Sequence, residues 1–309
     1  MPDDADKTLL PDPRLARGRW IATLIGFTAV LMWALLALLT AASGAVPPFQ
    51  LSAMCFVVGG LIGLTRLTLV PSARAGLSGQ PPLAWLLGIA GLFGYHFFYF
   101  TALRNAPAVE AGLIAYLWPL LIVLFSALLP GERLGWHHVA GALMGFAGAG
   151  LIVSKGQGLA IDQQYAFGYA MALVCALLWS GYSVLSRRYA QVPTDLVTMF
   201  CLATAALSLV CHIALEETVW PTSTSQWLAV LGLGLMPVGL AFYTWDYGVK
   251  RGDIQLLGVG SYAAPLLSTI ILIIAGFADF TPVIVVSALL ITGGAILAAK
   301  DMLRKRRTI

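Results

Sequence analysis

Apolar residues run along the chain in long stretches, each ended by a charged residue or a Pro/Gly-rich turn. A helix needs roughly 20 apolar residues to cross the hydrocarbon of a bilayer. The pattern therefore predicts transmembrane helices near residues 19–41, 49–66, 83–104, 107–129, 135–153, 166–188, 195–215, 226–249, 254–277 and 280–300. Trp20, Trp85, Trp136, Trp220 and Trp227 fall at the ends of these stretches, where an indole rests between lipid and water. Outside them lie an acidic, Pro-rich N-terminal tail over 1–18, unlike a signal peptide, and a basic C-terminal tail over 301–309.

The stretches repeat. Displacing the sequence by 146 residues puts Trp33 on Trp179, Val46-Pro47 on Val192-Pro193, Cys55 on Cys201, Tyr116 on Tyr262 and Pro119-Leu120-Leu121 on Pro265-Leu266-Leu267. Regions 41–66 and 187–215 match little beyond the residues named, and the third and eighth stretches need a further shift of a few residues to bring Trp85 onto Trp227. Two halves result, 19–155 and 156–300, with five spans each. An odd number of spans forces the halves to insert in opposite directions, the plan of many secondary transporters that hold substrate between their repeats. The expected fold class is an all-α integral membrane protein, with ten transmembrane helices as two inverted five-helix repeats around a central cavity.

Composition agrees and sets the orientation. Only 10% of residues are charged and the mean hydropathy is +0.86. Soluble domains carry about 25% charged residues, so no water-facing catalytic domain fits and the chain is not read as an enzyme. With the N-terminus inside, 16 of the 18 Lys and Arg fall on one face and only Arg104 and Lys155 on the other. This positive-inside bias puts both termini in the cytoplasm of an inner (plasma) membrane. The tail RKRR reads as a topology anchor on anionic lipid, and no nucleic-acid partner is expected. Cys55, Cys175, Cys201 and Cys211 lie in apolar stretches as small hydrophobes, without disulfides or a metal.

Candidate chemistry gathers at mid-depth. In GYHFFYFTALRN, Tyr95 and Tyr99 share a helix face, with His96 about 100° round. Tyr116 and Trp118 follow in the fourth span, Trp179 in the sixth, and Ser261 and Tyr262 in the ninth. Packing explains any one of these aromatics as well as ligand contact does; polar groups in a membrane, however, require partners or water. Pro119 and Pro265 remove the helix bonds to the carbonyls of Ala115 and Ser261. A freed carbonyl is tolerated only against protein or a wet cavity, although a packing kink accounts for either proline alone. Tyr116 and Tyr262, as repeat mates, are expected to hold a zwitterion from both sides. Gly141, Gly145 and Ala149 predict close helix packing.

Absences narrow the classes. No charged residue lies at the centre of a predicted span, and Glu110 and Asp246 fall near span ends. A proton-driven exporter of hydrophobic cations needs a mid-depth acid, and an organophosphate carrier needs mid-depth cations. No Asp pair or Ser/His dyad suits an intramembrane protease. His96 is the one titratable candidate for proton coupling.

The two five-span halves and PGERL (130–134) resemble the EamA-type branch of the drug/metabolite transporter superfamily. The stretch GYHFFYFTALRNAPAVEAGLIAYLWPLLIVLFSALLPGERL (94–134) is similar to YddG-type amino-acid exporters. The resemblance covers residues 19–300 and implies export of neutral and aromatic amino acids through a central cavity. It implies cavity roles for Tyr95, His96, Tyr99, Tyr116, Trp118, Trp179 and Ser261. The second half has GFADF (276–280), with Ala278 opposite Glu132; Glu132-Arg133 is expected to start the fifth helix. The expected function is alternating-access export, without cofactor or metal. The partners are an amino-acid substrate and membrane lipid, and a monomer suffices. Efflux of aromatic cationic drugs by cation–π contact, or of other metabolites, is an alternative. A non-transporting membrane scaffold is the rival of another class, against which midplane tyrosines and broken helices count.

Overall fold

The computed structural model describes residues 13–156, 162–276 and 278–300. The C-terminal tail 301–309 and residues 1–12 of the N-terminal tail lie outside them. Among the described residues, nine helical stretches are long and apolar enough to cross a membrane. They are Ala16–Ala42, Pro48–Leu69, Pro82–Asn105, Ala108–Ser126, Trp136–Val153, Gln163–Arg188, Thr194–Leu215, Thr224–Arg251 and Ile254–Ile274. A tenth apolar helix, Pro282–Ala298, has 17 residues, at the short limit for a span. These ten, called the first to tenth spans, follow the hydropathy pattern closely. Between them the described residues form turns and single helical turns, and no strand.

Several spans are broken, and the breaks repeat. The fourth divides after Ala115 and resumes at Trp118; the ninth divides after Gly260 and resumes at Ala263. These are the two proline sites. The third and eighth each contain one π-helical turn, Ala90–Gly94 and Met236–Leu240, displaced by the same 146 residues. The shift that brings Trp85 onto Trp227 is confined to the segments before these turns. The eighth span opens with 12 helical residues, Thr224–Leu235, and the third with 8, Pro82–Ile89. The first span breaks at Ala34-Leu35, whereas the matching part of the sixth runs unbroken through Ser180-Gly181.

Packing follows the same relation. The fifth span lies on the tenth and the second on the seventh, each a contact between repeat mates. The first lies on the eighth and the third on the sixth, a pair of contacts that the repeat exchanges. Close approach of the fifth and tenth spans depends on Gly141. A Cβ there would meet the Gly294 carbonyl oxygen at 2.5 Å, as the small-residue spacing predicts.

Candidate functional site

The third span carries one wall of the site. Its π turn holds one residue more than an α turn and re-aims the helix beyond it, a feature common at functional positions. Gly91 in that turn lets Tyr182 of the sixth span close in; a Cβ would lie 2.6 Å from the Tyr182 Cβ. Just past the turn, Tyr95 and Tyr99 stack at 5.9 Å with planes 10° apart. His96 donates from Nδ1 to the Leu92 carbonyl at 2.7 Å, because a carbonyl only accepts. Its ring meets Phe56 edge-on at 5.1 Å. Tyr116 lies at the break of the fourth span. All four of Tyr95, His96, Tyr99 and Tyr116 are partly buried rather than fully enclosed.

Beneath this wall is a floor of four tryptophans, each touching the other three. Trp33 lies 6.0 Å from Trp118, 5.8 Å from Trp179 and 5.1 Å from Trp245. Trp118 is 6.3 Å from Trp179 and 5.7 Å from Trp245, and Trp179 stacks on Trp245 at 6.1 Å and 22°. Such edge-on and offset pairs suit the ring quadrupole and add about 0.5–1.5 kcal/mol each beyond area burial. Trp33 is fixed by its Nε1–H, which donates to the Pro237 carbonyl at 3.1 Å, inside the π turn of the eighth span. Trp245 donates to Ser183 Oγ at 3.0 Å. Tyr95 joins wall to floor through Trp179, at 5.8 Å.

The structure thus brings together Tyr95, His96, Tyr99, Tyr116, Trp118 and Trp179. Trp118 and Trp179 are buried, at 7% and 4% exposure, so they underlie the accessible wall. Ser261 and Tyr262 are placed elsewhere. Ser261 is fully buried and its hydroxyl donates to the Leu257 carbonyl of its own helix. The Ser261 carbonyl accepts the Ala264 N–H at 3.1 Å, so the break near Pro265 leaves it satisfied rather than free. Tyr262 is also fully buried, and its hydroxyl accepts the Leu120 N–H at 3.1 Å. That N–H lies one residue past Pro119, so Tyr262 mends the break in the fourth span from across the interface.

Charged groups close the end that carries Arg19 and Lys300, called the terminal end. Glu132 takes Arg187 at 2.6 Å and Arg19 at 3.2 Å, and Arg19 also meets Asp253 at 3.3 Å. Arg187 donates further to the Val249 and Gly252 carbonyls. Glu132 is therefore a bridge between halves; the fifth helix itself starts at Trp136. At the opposite end, Glu216 accepts Arg104 at 2.7 Å, the N–H groups of Phe49 and Gln50, and His212 Nδ1. A carboxylate at the N-terminus of the second helix suits the helix dipole.

Sequence reasoning passed over Trp245, Tyr182, Phe242, which stacks on Phe56 at 5.5 Å and meets the His96 ring at 6.2 Å, and the pairing of Asp246 with Lys250. Asp246 is near the end of its span, yet it is 1% exposed. The i,i+4 spacing of an acid and a base in an apolar span was the available sign. Cys211 is half-exposed, unlike the three buried cysteines. Among the described residues no His/Cys/Asp/Glu cluster suits a metal.

The model of the EamA-like transporter family matches twice, over residues 20–154 and 166–300. An aromatic amino acid exporter YddG of Ancylobacter novellus is 57% identical over 278 residues, 90% of this chain and 96% of that protein. The protein of the same name in Escherichia coli K12 is 25% identical over 288 residues, 89% of this chain and 96% of its own. A solved crystal structure with 56% identity superposes with a TM-score of 0.86, covering 91% of this chain and 98% of that one.

Proposed function

The chain belongs to the EamA-like transporter family, and on that premise we propose that it exports amino acids, aromatic ones included, by alternating access. The observation that carries this reading is the partly buried wall of Tyr95, His96, Tyr99 and Tyr116 set against the tryptophan floor. An aromatic side chain gains area and ring contacts on such a floor, while hydroxyls and an imidazole serve the polar head group. No side chain of fixed charge belongs to the wall, which suits a ligand of zero net charge. The name of the Ancylobacter relative supports the same substrate class.

Positive-inside bias puts the terminal end in the cytoplasm and the protein in the inner membrane. The ion pairs of Glu132 and Arg19 then close the cytoplasmic face, and the accessible wall faces the periplasm. Export requires the Glu132 pairs to break so that the wall can open to the cytoplasm.

Liposomes carrying only this protein test the reading. Saturable flux of labelled phenylalanine and tryptophan is expected, with Tyr95→Ala and Tyr99→Ala each lowering it several-fold. Phenylalanine flux no faster than in protein-free liposomes would refute it.

A further inference from the structure

The site described above leaves one buried charged group unused: Asp246 and Lys250, in the turn beyond Trp245 toward the terminal end. Resting on the reading that the chain carries amino acids, we propose that this pair is a loading site for the substrate's zwitterionic head group. Lys250 takes the α-carboxylate and Asp246 the α-ammonium once the terminal end opens.

The pair is held at 2.8 Å, with its side chains 4% and 1% exposed. Burying two charges within a spanning helix is costly, and apolar residues of similar volume fill a core as well or better. Ionisable groups buried inside a span therefore point to a pathway for a charged ligand. Their bonding is also incomplete. The carboxylate accepts Tyr182 Oη at 3.0 Å, Thr194 Oγ1 at 2.8 Å and Lys250 Nζ. The ammonium donates to Asp246 and to the Val192 carbonyl at 3.1 Å. A carboxylate has about four acceptor sites and an ammonium three donors, so each group keeps one valence. Beside them is a cavity of about 10 Å³, lined by Tyr182, Ser186, Tyr189, Val192, Asp246 and Lys250 among others. That is room for one water.

The partners of the pair come from other elements: Tyr182 from the sixth span, Val192 from the connection to the seventh and Thr194 from the start of the seventh. Moving the eighth span off them opens both charges to a ligand. A zwitterion can then replace each charge's partner without leaving a charge alone. Its aromatic side chain would reach the floor directly, since the Tyr182 ring lies 5.3 Å from Trp179. The repeat does not demand the pair. Displaced by 146 residues, Asp246 and Lys250 match Phe100 and Arg104, so the first half has no acid there.

The test compares wild type, Lys250→Gln and the double variant Asp246→Leu/Lys250→Met in liposomes with labelled L-phenylalanine. The double variant leaves no charge unpaired but removes the acceptor of Tyr182 and Thr194, so flux is compared per folded molecule, where it is expected to fall about tenfold or more. Wild-type flux through the double variant would make the pair an internal strut and overturn the assignment. Independently of that variant's folding, competition by 2-phenylethylamine, which lacks the carboxylate, reads out Lys250. Wild type should prefer phenylalanine over the amine by about tenfold, and Lys250→Gln should shrink that preference to within about threefold. An unchanged preference would also overturn the assignment. A wild type that moves no amino acid sinks the export reading and this site with it. Amino-acid flux in wild type beside an unimpaired double variant sinks this site alone.

Discussion

Trp33 and Trp179 occupy the same position in the two halves, 146 residues apart, and their ring centroids lie 5.8 Å from each other at 75°. Two residues related by a twofold axis touch only if both lie near that axis. The tryptophan floor therefore marks the pseudo-twofold, the place whose exposure must alternate if the halves exchange conformations. Trp33 is anchored there by the Pro237 carbonyl at 3.1 Å, so a π turn of one half fixes an aromatic of the other.

Accessibility separates wall from floor. In a background with Cys55, Cys175, Cys201 and Cys211 changed to Ala, cysteines at 95, 99 and 116 should react with a small water-soluble thiol reagent. Phenylalanine should protect them. Cysteines at 118 and 179 should react far more slowly, because both positions are buried. Fast, unprotected labelling at 118 and slow labelling at 95 would reverse this arrangement.

The spans, the repeat and both proline breaks were legible in the sequence, because hydropathy, a common offset and the missing proline N–H each have a direct structural effect. The π turns were not, since AGLFG and MPVGL share only apolar and glycine character with ordinary spans. Ser261 and Tyr262 lie at the depth of the wall residues, and Tyr262 is the repeat mate of Tyr116. Depth along a helix does not tell which face is turned inward, and both hydroxyls are engaged by backbone groups. Asp246 reads as near a span end but its burial was missed, because sequence shows distance from a span end, whereas burial depends on the neighbouring helices.

Tyr262→Phe tests the structural role of that residue. It leaves the buried Leu120 N–H without its acceptor, which costs about 1–3 kcal/mol. The thermal midpoint of the purified protein should fall, while flux per folded molecule stays near wild type. A loss of flux at unchanged stability would return Tyr262 to the substrate site.

Glu132→Gln removes the charge that joins Arg19 and Arg187 across the halves. The terminal end should then open more often. Ser183→Cys, buried beside Trp245, should gain reactivity toward reagent applied from the terminal side in the Glu132→Gln background. Trp136→Ala, at an exposed span end, is the control and should leave labelling unaltered. Equal labelling of Ser183→Cys with and without Glu132 would remove the latch from the account.

Orientation is tested by reporter fusions. Fusions after Arg74 and Tyr189 should report the cytoplasm and a fusion after Thr218 the periplasm. A fusion after Leu159, outside the described residues, should also report the periplasm. A cytoplasmic signal at Leu159 would contradict the five-plus-five arrangement.

The central claim is that a net-neutral aromatic site moves amino acids without an ion bound at mid-depth. Its most direct test is flux of a panel of labelled amino acids into liposomes holding only this protein, with pH and sodium equal on both sides. The account predicts saturable downhill flux, faster for phenylalanine and tryptophan than for aspartate or lysine. Flux that appears only under an imposed pH gradient, and loses that dependence in His96→Gln, would contradict it.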